Sequence, residues 1–173
     1  MRKNKKVFVI SGAPGVGKTT LIKELSKKLP KVAHISIDKL RNFIRAGYAS
    51  PNNWNEEVEK QYRLAHQNAA DLTKNYLSQG YLVFIDDVFR NEWKKDLVKA
   101  IPEQKIEFIY LHASLAEIIK RNSAREYVVK KKVVVDSYND LETNNTKKNG
   151  WFIIDTENSE KSTSEKFLSL IKR

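Results

Sequence analysis

The chain has 173 residues, enough for one domain with a substantial core and short for two. With 40% hydrophobic and 31% charged residues, no cysteine and no apolar run of spanning length, it excludes a transmembrane helix, disulfides and cysteine-ligated metal. A formal charge of +11 suits solvated basic faces or a polyanionic partner such as a nucleic acid end, and charge alone does not separate them. The excess gathers at residues 2–6, at 121–132 and at Lys147-Lys148.

Lys6-Val7-Phe8-Val9-Ile10-Ser11 reads as a buried strand and leads directly into Gly12-Ala13-Pro14-Gly15-Val16-Gly17-Lys18-Thr19. Two glycines with four residues between them, then Lys and a hydroxyl residue, form a P-loop pattern. The glycines let the backbone turn tightly and aim its N–H groups at a phosphate. Lys18 is placed to reach the terminal phosphates and the Thr19 hydroxyl to bind Mg²⁺, so residues Gly12 to Thr20 are the expected nucleotide-contacting set. A helix over 19–29, stopped by Pro30, completes the strand–loop–helix context. A cleaved signal peptide here would remove the phosphate site, so none is expected; with ATP as the expected ligand, the cytoplasm is the expected setting.

A second strand is expected over 32–37, ending at Asp38, then a short helical segment over 39–46 and a polar loop over 47–53. A long amphipathic helix is expected over 55–79, with Val58, Tyr62, Ala65, Ala69, Leu72 and Tyr76 on one face and Gly80 at its C-terminal cap. The apolar run 81–85 suits a central parallel strand and ends in Asp86-Asp87. A helix over 92–100 and a strand over 106–111 follow. Ser114 and Glu117 form a capping box opening a helix toward Arg125, and a basic segment, Lys130-Lys131-Lys132, precedes a helix over 133–142. A fifth strand is expected over 151–154, and a second capping box, Ser162 with Glu165, is expected to open a last helix to Ile171. This alternation predicts one α/β domain: a five-stranded parallel sheet flanked by helices, a three-layer P-loop fold.

Ligands of open parallel sheets bind beyond the carboxyl ends of the strands. Asp38, Asp86-Asp87 and Asp155-Thr156 close three strands, so they should meet the P-loop on one rim. Asp38 there could take a proton from an acceptor hydroxyl or cap the following helix. Neighbouring side chains on a strand point opposite ways. Asp86 is therefore read as the Mg²⁺ partner and Asp87 as facing the acceptor or Arg41. Arg121 and Arg125, four apart on one helical face, are expected to neutralise phosphoryl charge from a lid over about 121–133. Arg41, read as an exposed helix residue, could bind an anionic group of the acceptor. His34, His66 and His112 lack metal-ligand spacing and read as structural.

Together these residues resemble the small P-loop kinases. The P-loop, Ile37-Asp38, Ile85-Asp86-Asp87-Val88-Phe89 and Ile154-Asp155-Thr156 are similar to chloramphenicol phosphotransferase-like proteins. Asp38-x-x-Arg41 and Lys120-Arg121-Asn122-Ser123-Ala124-Arg125 resemble the kinase domain of phage polynucleotide kinase, in the same zeta-toxin-related group. That resemblance implies an adenylate-kinase-like strand order, ATP and Mg²⁺ as ligands, Asp38 as general base, Arg41 on an acceptor phosphate and Arg125 in the lid. Adenylate-kinase-like relatives imply Arg121 near adenine and Arg125 near phosphates. Residues 46–75 match no acceptor pocket of either family, and Val88-Phe89-Arg90 departs from the polynucleotide kinase pattern. The sequence thus points to transfer of the ATP γ-phosphate to a hydroxyl of a small-molecule or nucleotide-type acceptor, with a polynucleotide 5′-hydroxyl as the alternative. Rival classes are a P-loop ATPase switch and a nucleic-acid-binding module. An Asn-Lys-x-Asp motif for guanine is absent. The oligomeric state is left open.

Overall fold

The computed structural model describes residues 6–157 and 159–172; the basic cluster beginning at Arg2 lies outside them apart from the Lys6 backbone. The described residues begin with β1 (Lys6–Ser11), α1 (Lys18–Ser26), β2 (Val32–Ser36) and α2 (Ile37–Arg41). The long α3 (Glu56–Ser78) leads to β3 (Leu82–Asp87), a 3₁₀ turn (Asn91–Trp93) and α4 (Lys94–Ala100). Then come β4 (Lys105–His112), α5 (Leu115–Ser123), α6 (Lys131–Asn144), β5 (Phe152–Asp155) and α7 (Glu160–Ile171). A second 3₁₀ turn, Lys147–Asn149, joins α6 to β5.

The strands form one parallel sheet in the order β2-β3-β1-β4-β5, the adenylate-kinase-like order. Alternation along β1 divides the core in two. Val7 and Val9 face one side with Tyr62, Ala65 and Ala69 of α3. Phe8 and Ile10 face the other with Leu21, Ile22 and Leu25 of α1 and Phe167 of α7. The apolar runs of β1 and β3 follow from this, because a parallel strand covered by helices on both faces has no solvated side. β1 lies between β3 and β4, so the P-loop leaves the middle of the carboxyl edge. Register sets Ile10 beside Asp86 and Ser11 beside Asp87, while Ser36 pairs with Asp86 from the other side.

Several boundaries differ from expectation. β2 stops at Ser36 because Ile37, fully buried, already opens α2. α2 ends at Arg41 rather than 46, where Phe43 and Ile44 turn tightly onto the carbonyls of Leu40 and Arg41. In α3, Asn55 caps by accepting from the Val58 amide at 3.0 Å. Its buried stripe drifts, so Leu77 is buried while Tyr76 stays 40% exposed. The second capping box is not formed: α7 starts at Glu160, and Ser159 caps it by accepting from the Ser162 amide at 3.2 Å. The expected box thus lies inside the helix. The first is half formed, since Ser114 accepts from the Glu117 amide but its own amide donates to Glu157. Lys130 is the N-cap of α6, which begins at Lys131, so the basic run is largely helical.

Candidate active site

The local sequence dictates the loop. Gly15 holds φ +97°, and a side chain there would place Cβ 2.8 Å from the Ile118 carbonyl of α5, so the loop is pressed against its neighbour. Gly17, at φ +107°, is the N-cap of α1 and supplies no side-chain cap, leaving the first-turn amides for an anion. Lys18 Nζ donates to the carbonyls of Gly12 at 2.6 Å and Ala13 at 3.3 Å, which keeps the ammonium inside the loop. Loss of hydration pushes the Lys18 pKa below the ordinary lysine value, and Asp86, Asp38 and Asp87 pull it back up.

A cavity of about 880 Å³ lies over this loop. Pro14, Gly15, Val16, Gly17, Lys18, Thr19 and Thr20 line it, and so do Asp38, Asp86, Arg121, Arg125 and Thr156. Gly12 and Ala13 are buried beneath it. Asp38, in the first turn of α2, is open to solvent on the cavity wall. Partial dehydration and the charge of Asp87 nevertheless push its carboxyl pKa up, while Lys18 pulls it down. Asp86 accepts from His34 Nε2 at 2.8 Å, and Ser36, Lys39 and Asn42 extend the same wall.

Other expected residues are placed differently. Asp87 faces neither cavity: His66 Nε2 donates to Oδ2 at 2.9 Å and the Val88 amide to Oδ1 at 2.8 Å, turning the carboxylate into the core. Arg41 is not exposed. It is 1% accessible, lies 4.1 Å over the Tyr62 ring and 4.9 Å over Tyr48, and donates to the Ala49 carbonyl at 2.7 Å. Its Nε and Nη1 have no partner among the described residues, and it lines neither cavity. Asp155 spends its carboxylate on the Glu157 amide at 2.7 Å, leaving Thr156 as the cavity residue of that pair. Arg121 is a clamp, bonded to Glu117 at 2.8 Å and to the Thr156 carbonyl at 2.9 Å. Arg125 does not share its helical face, because α5 ends at Ser123 and Arg125 lies in the turn beyond. Each histidine is paired with a carboxylate: His34 with Asp86, His66 with Asp87, and His112 with Glu142 at 2.8 Å. No group of metal-ligating His, Cys, Asp and Glu side chains occurs among the described residues.

A second cavity, about 640 Å³, adjoins the first. Pro14, Asp38, Val88, Tyr127 and Val129 line both. Its far wall comes from the loop before α3 and from α3 itself, with Tyr48, Trp54 and Tyr62, and from Arg90 and Trp93 after β3. Sequence reasoning missed these residues. The available signal was two large aromatics, Tyr48 and Trp54, in or beside a polar loop, where nothing in the local pattern buries them.

By sequence the chain is 29% identical over 147 residues to an L-seryl-tRNA(Sec) kinase of Methanococcus maripaludis, covering 82% of this chain and 54% of that protein. The chain thus spans about half the length of that relative. A Schizosaccharomyces pombe protein named "Probable gluconokinase" is 27% identical over 176 residues, covering 98% and 89% of the two chains. In fold it is similar to a gluconokinase from Sinorhizobium meliloti 1021, with TM-score 0.68 at 15% identity over 97% and 92% of the chains. No helix among the described residues is long and apolar enough to cross a membrane. A P-loop with an adjoining cavity thus accompanies likeness to kinase-named relatives. Residues 7–142 match the family model AAA_33, described as an AAA domain, and the chain belongs to that family, within the P-loop kinase group.

Proposed function

We propose that this protein moves the γ-phosphoryl group of ATP to a hydroxyl of an acceptor seated in the second cavity. The observation that carries the reading is that Asp38 lines both cavities, at their junction. A carboxylate there can meet an acceptor oxygen on one side and face the phosphate loop on the other. The acceptor O–H gives its proton to Asp38 while its oxygen bonds the γ-phosphorus. The bond from that phosphorus to the β,γ-bridging oxygen breaks, and ADP departs. Lys18 and the first-turn amides of α1 hold the β- and γ-phosphates. Arg125, on the cavity wall beyond α5, neutralises charge on the transferring group, while Arg121 fixes the wall behind it.

Thr19 and Asp86 are the oxygen donors that would hold Mg²⁺, a fit for a hard cation that keeps much of its shell from water and substrate phosphates. When bound, Mg²⁺ would supply charge neutralisation across the phosphates. The chain acts as a single kinase domain with residues 121–133 as its lid.

Asp38→Asn should lower transfer by roughly 10²–10⁴-fold, the usual worth of a positioned base, while the ATP dissociation constant by calorimetry stays within about twofold. Wild-type transfer rates in that variant would remove Asp38 from the base role. A wild-type ATP turnover that no hydroxyl compound changes would instead favour the ATPase switch.

A further inference from the structure

The second cavity presents more aromatic surface than a polyol requires. On its wall Tyr48, Trp54 and Tyr127 remain 44%, 42% and 79% exposed, leaving large apolar rings open to the cavity. Trp54 is nevertheless held in place. Its ring lies 5.3 Å from Tyr62 at 25° and 6.4 Å from Trp93 at 21°, so it extends a near-parallel layer of rings out of the core. The Arg90 guanidinium sits 4.1 Å from the Trp54 centroid and is 3.4 Å from the Asp140 carboxylate of α6. Part of the indole is thus fixed by protein and the rest is open to the cavity.

Two further features belong to the same space. Tyr127 is carried on a loop whose base is closed by Asn122, which donates to the Val129 carbonyl at 2.8 Å and accepts from its amide at 3.2 Å. Lys130 and Lys132 line the wall as well. Lys132 pairs with Asp136 at 2.5 Å, whereas Lys130 has no carboxylate within ion-pair distance among the described residues.

Resting on the phosphotransferase reading, we infer that the second cavity takes a nucleotide-type acceptor. Its planar heteroaromatic ring stacks between Trp54 and Tyr127, its phosphate lies toward Lys130, and a free sugar hydroxyl reaches Asp38. Stacking suits any base, because every base has a π-face, and the lysine adds attraction for the phosphate. Mononucleotide and strand end share this chemistry.

Trp54, 42% exposed, and Trp93, 2% exposed, both line this cavity, so a quench carried by Trp54 should be largely lost in Trp54→Ala. Without ATP, wild-type tryptophan fluorescence is titrated with adenosine 3′-monophosphate, with a short 5′-hydroxyl oligonucleotide, and with gluconate as a ring-free anion. The first two should quench saturably and gluconate should not. By calorimetry, Trp54→Ala should weaken both ring-bearing ligands at least tenfold and Trp54→Phe by no more than about threefold, with ATP affinity unchanged. A strand end gives a markedly steeper fall of affinity with salt than the mononucleotide. Gluconate bound as tightly as the nucleotides, or ring ligands indifferent to Trp54→Ala, would overturn the inference. Transfer to gluconate unaffected by Trp54→Ala would do so while leaving the phosphotransferase reading intact. Nucleotides that stack as described but receive no phosphate from ATP would overturn that reading instead.

Discussion

At the scale of single residues, Asp38 and Lys18 are tuned in opposite directions by the same cleft. Asp38 has its pKa raised chiefly by dehydration, so its carboxylate form is complete only above that raised value and is lost as pH falls through it. Lys18 has its pKa lowered by burial, so its charge is lost as pH rises through a value below the ordinary lysine one. The profile of kcat/KM against pH should therefore have an acid limb above the ordinary aspartate range, and Asp38→Asn should abolish that limb along with most of the rate. An acid limb persisting in the variant would assign it to another group. Residue roles were only partly legible in the sequence. Asp38 reads correctly as a rim residue because it lies two residues beyond the end of β2. Arg41 and Asp87 do not, because their partners, Tyr62 and His66, come from α3 and meet them only after folding.

At the scale of elements, the segment proposed as a lid is a loop stapled at its base rather than an extension of α5. Asn122 is buried and forms both hydrogen bonds to Val129, standing in for a backbone pair where the helix ends. Asn122→Ala removes two hydrogen bonds to the half-buried Val129 backbone, at roughly 0.5–1.5 kcal/mol each, about 1–3 kcal/mol in all. At roughly 2–4 °C per kcal/mol for a chain of this size, the melting temperature should fall by about 2–12 °C. The KM for ATP should rise several-fold, because Arg125 and Tyr127 ride on the stapled loop; an unchanged KM with a lowered melting temperature would make the staple purely structural. Element type was legible throughout from hydrophobic period, but boundaries were not. Ser162, with Glu165, carries the capping-box signature and Ser159 does not, yet α7 starts at Glu160 with Phe167 packed against Phe8 and Phe84.

At the scale of the whole molecule, the sheet order puts the P-loop at the centre of the carboxyl edge and gathers Asp38 and Asp86 around it. A ligand that binds only the folded form stabilises it by mass action. Mg²⁺-ATP at a hundredfold above its dissociation constant should add about 2.7 kcal/mol, roughly 5–11 °C in melting temperature. Lys18→Ala should remove most of that shift, and a full shift in the variant would place the nucleotide elsewhere. By itself the sequence determined the strand–loop–helix, the parallel alternation and the acids at strand ends, because these depend on residues close together in the chain. Only the tertiary structure decided that Arg41 is buried, that Asp87 turns inward, and that Tyr48, Trp54 and Tyr127 wall a second cavity. Those facts arise where α2, α3, β3 and the loop after α5 converge, and contacts between segments distant in sequence leave no local period to read.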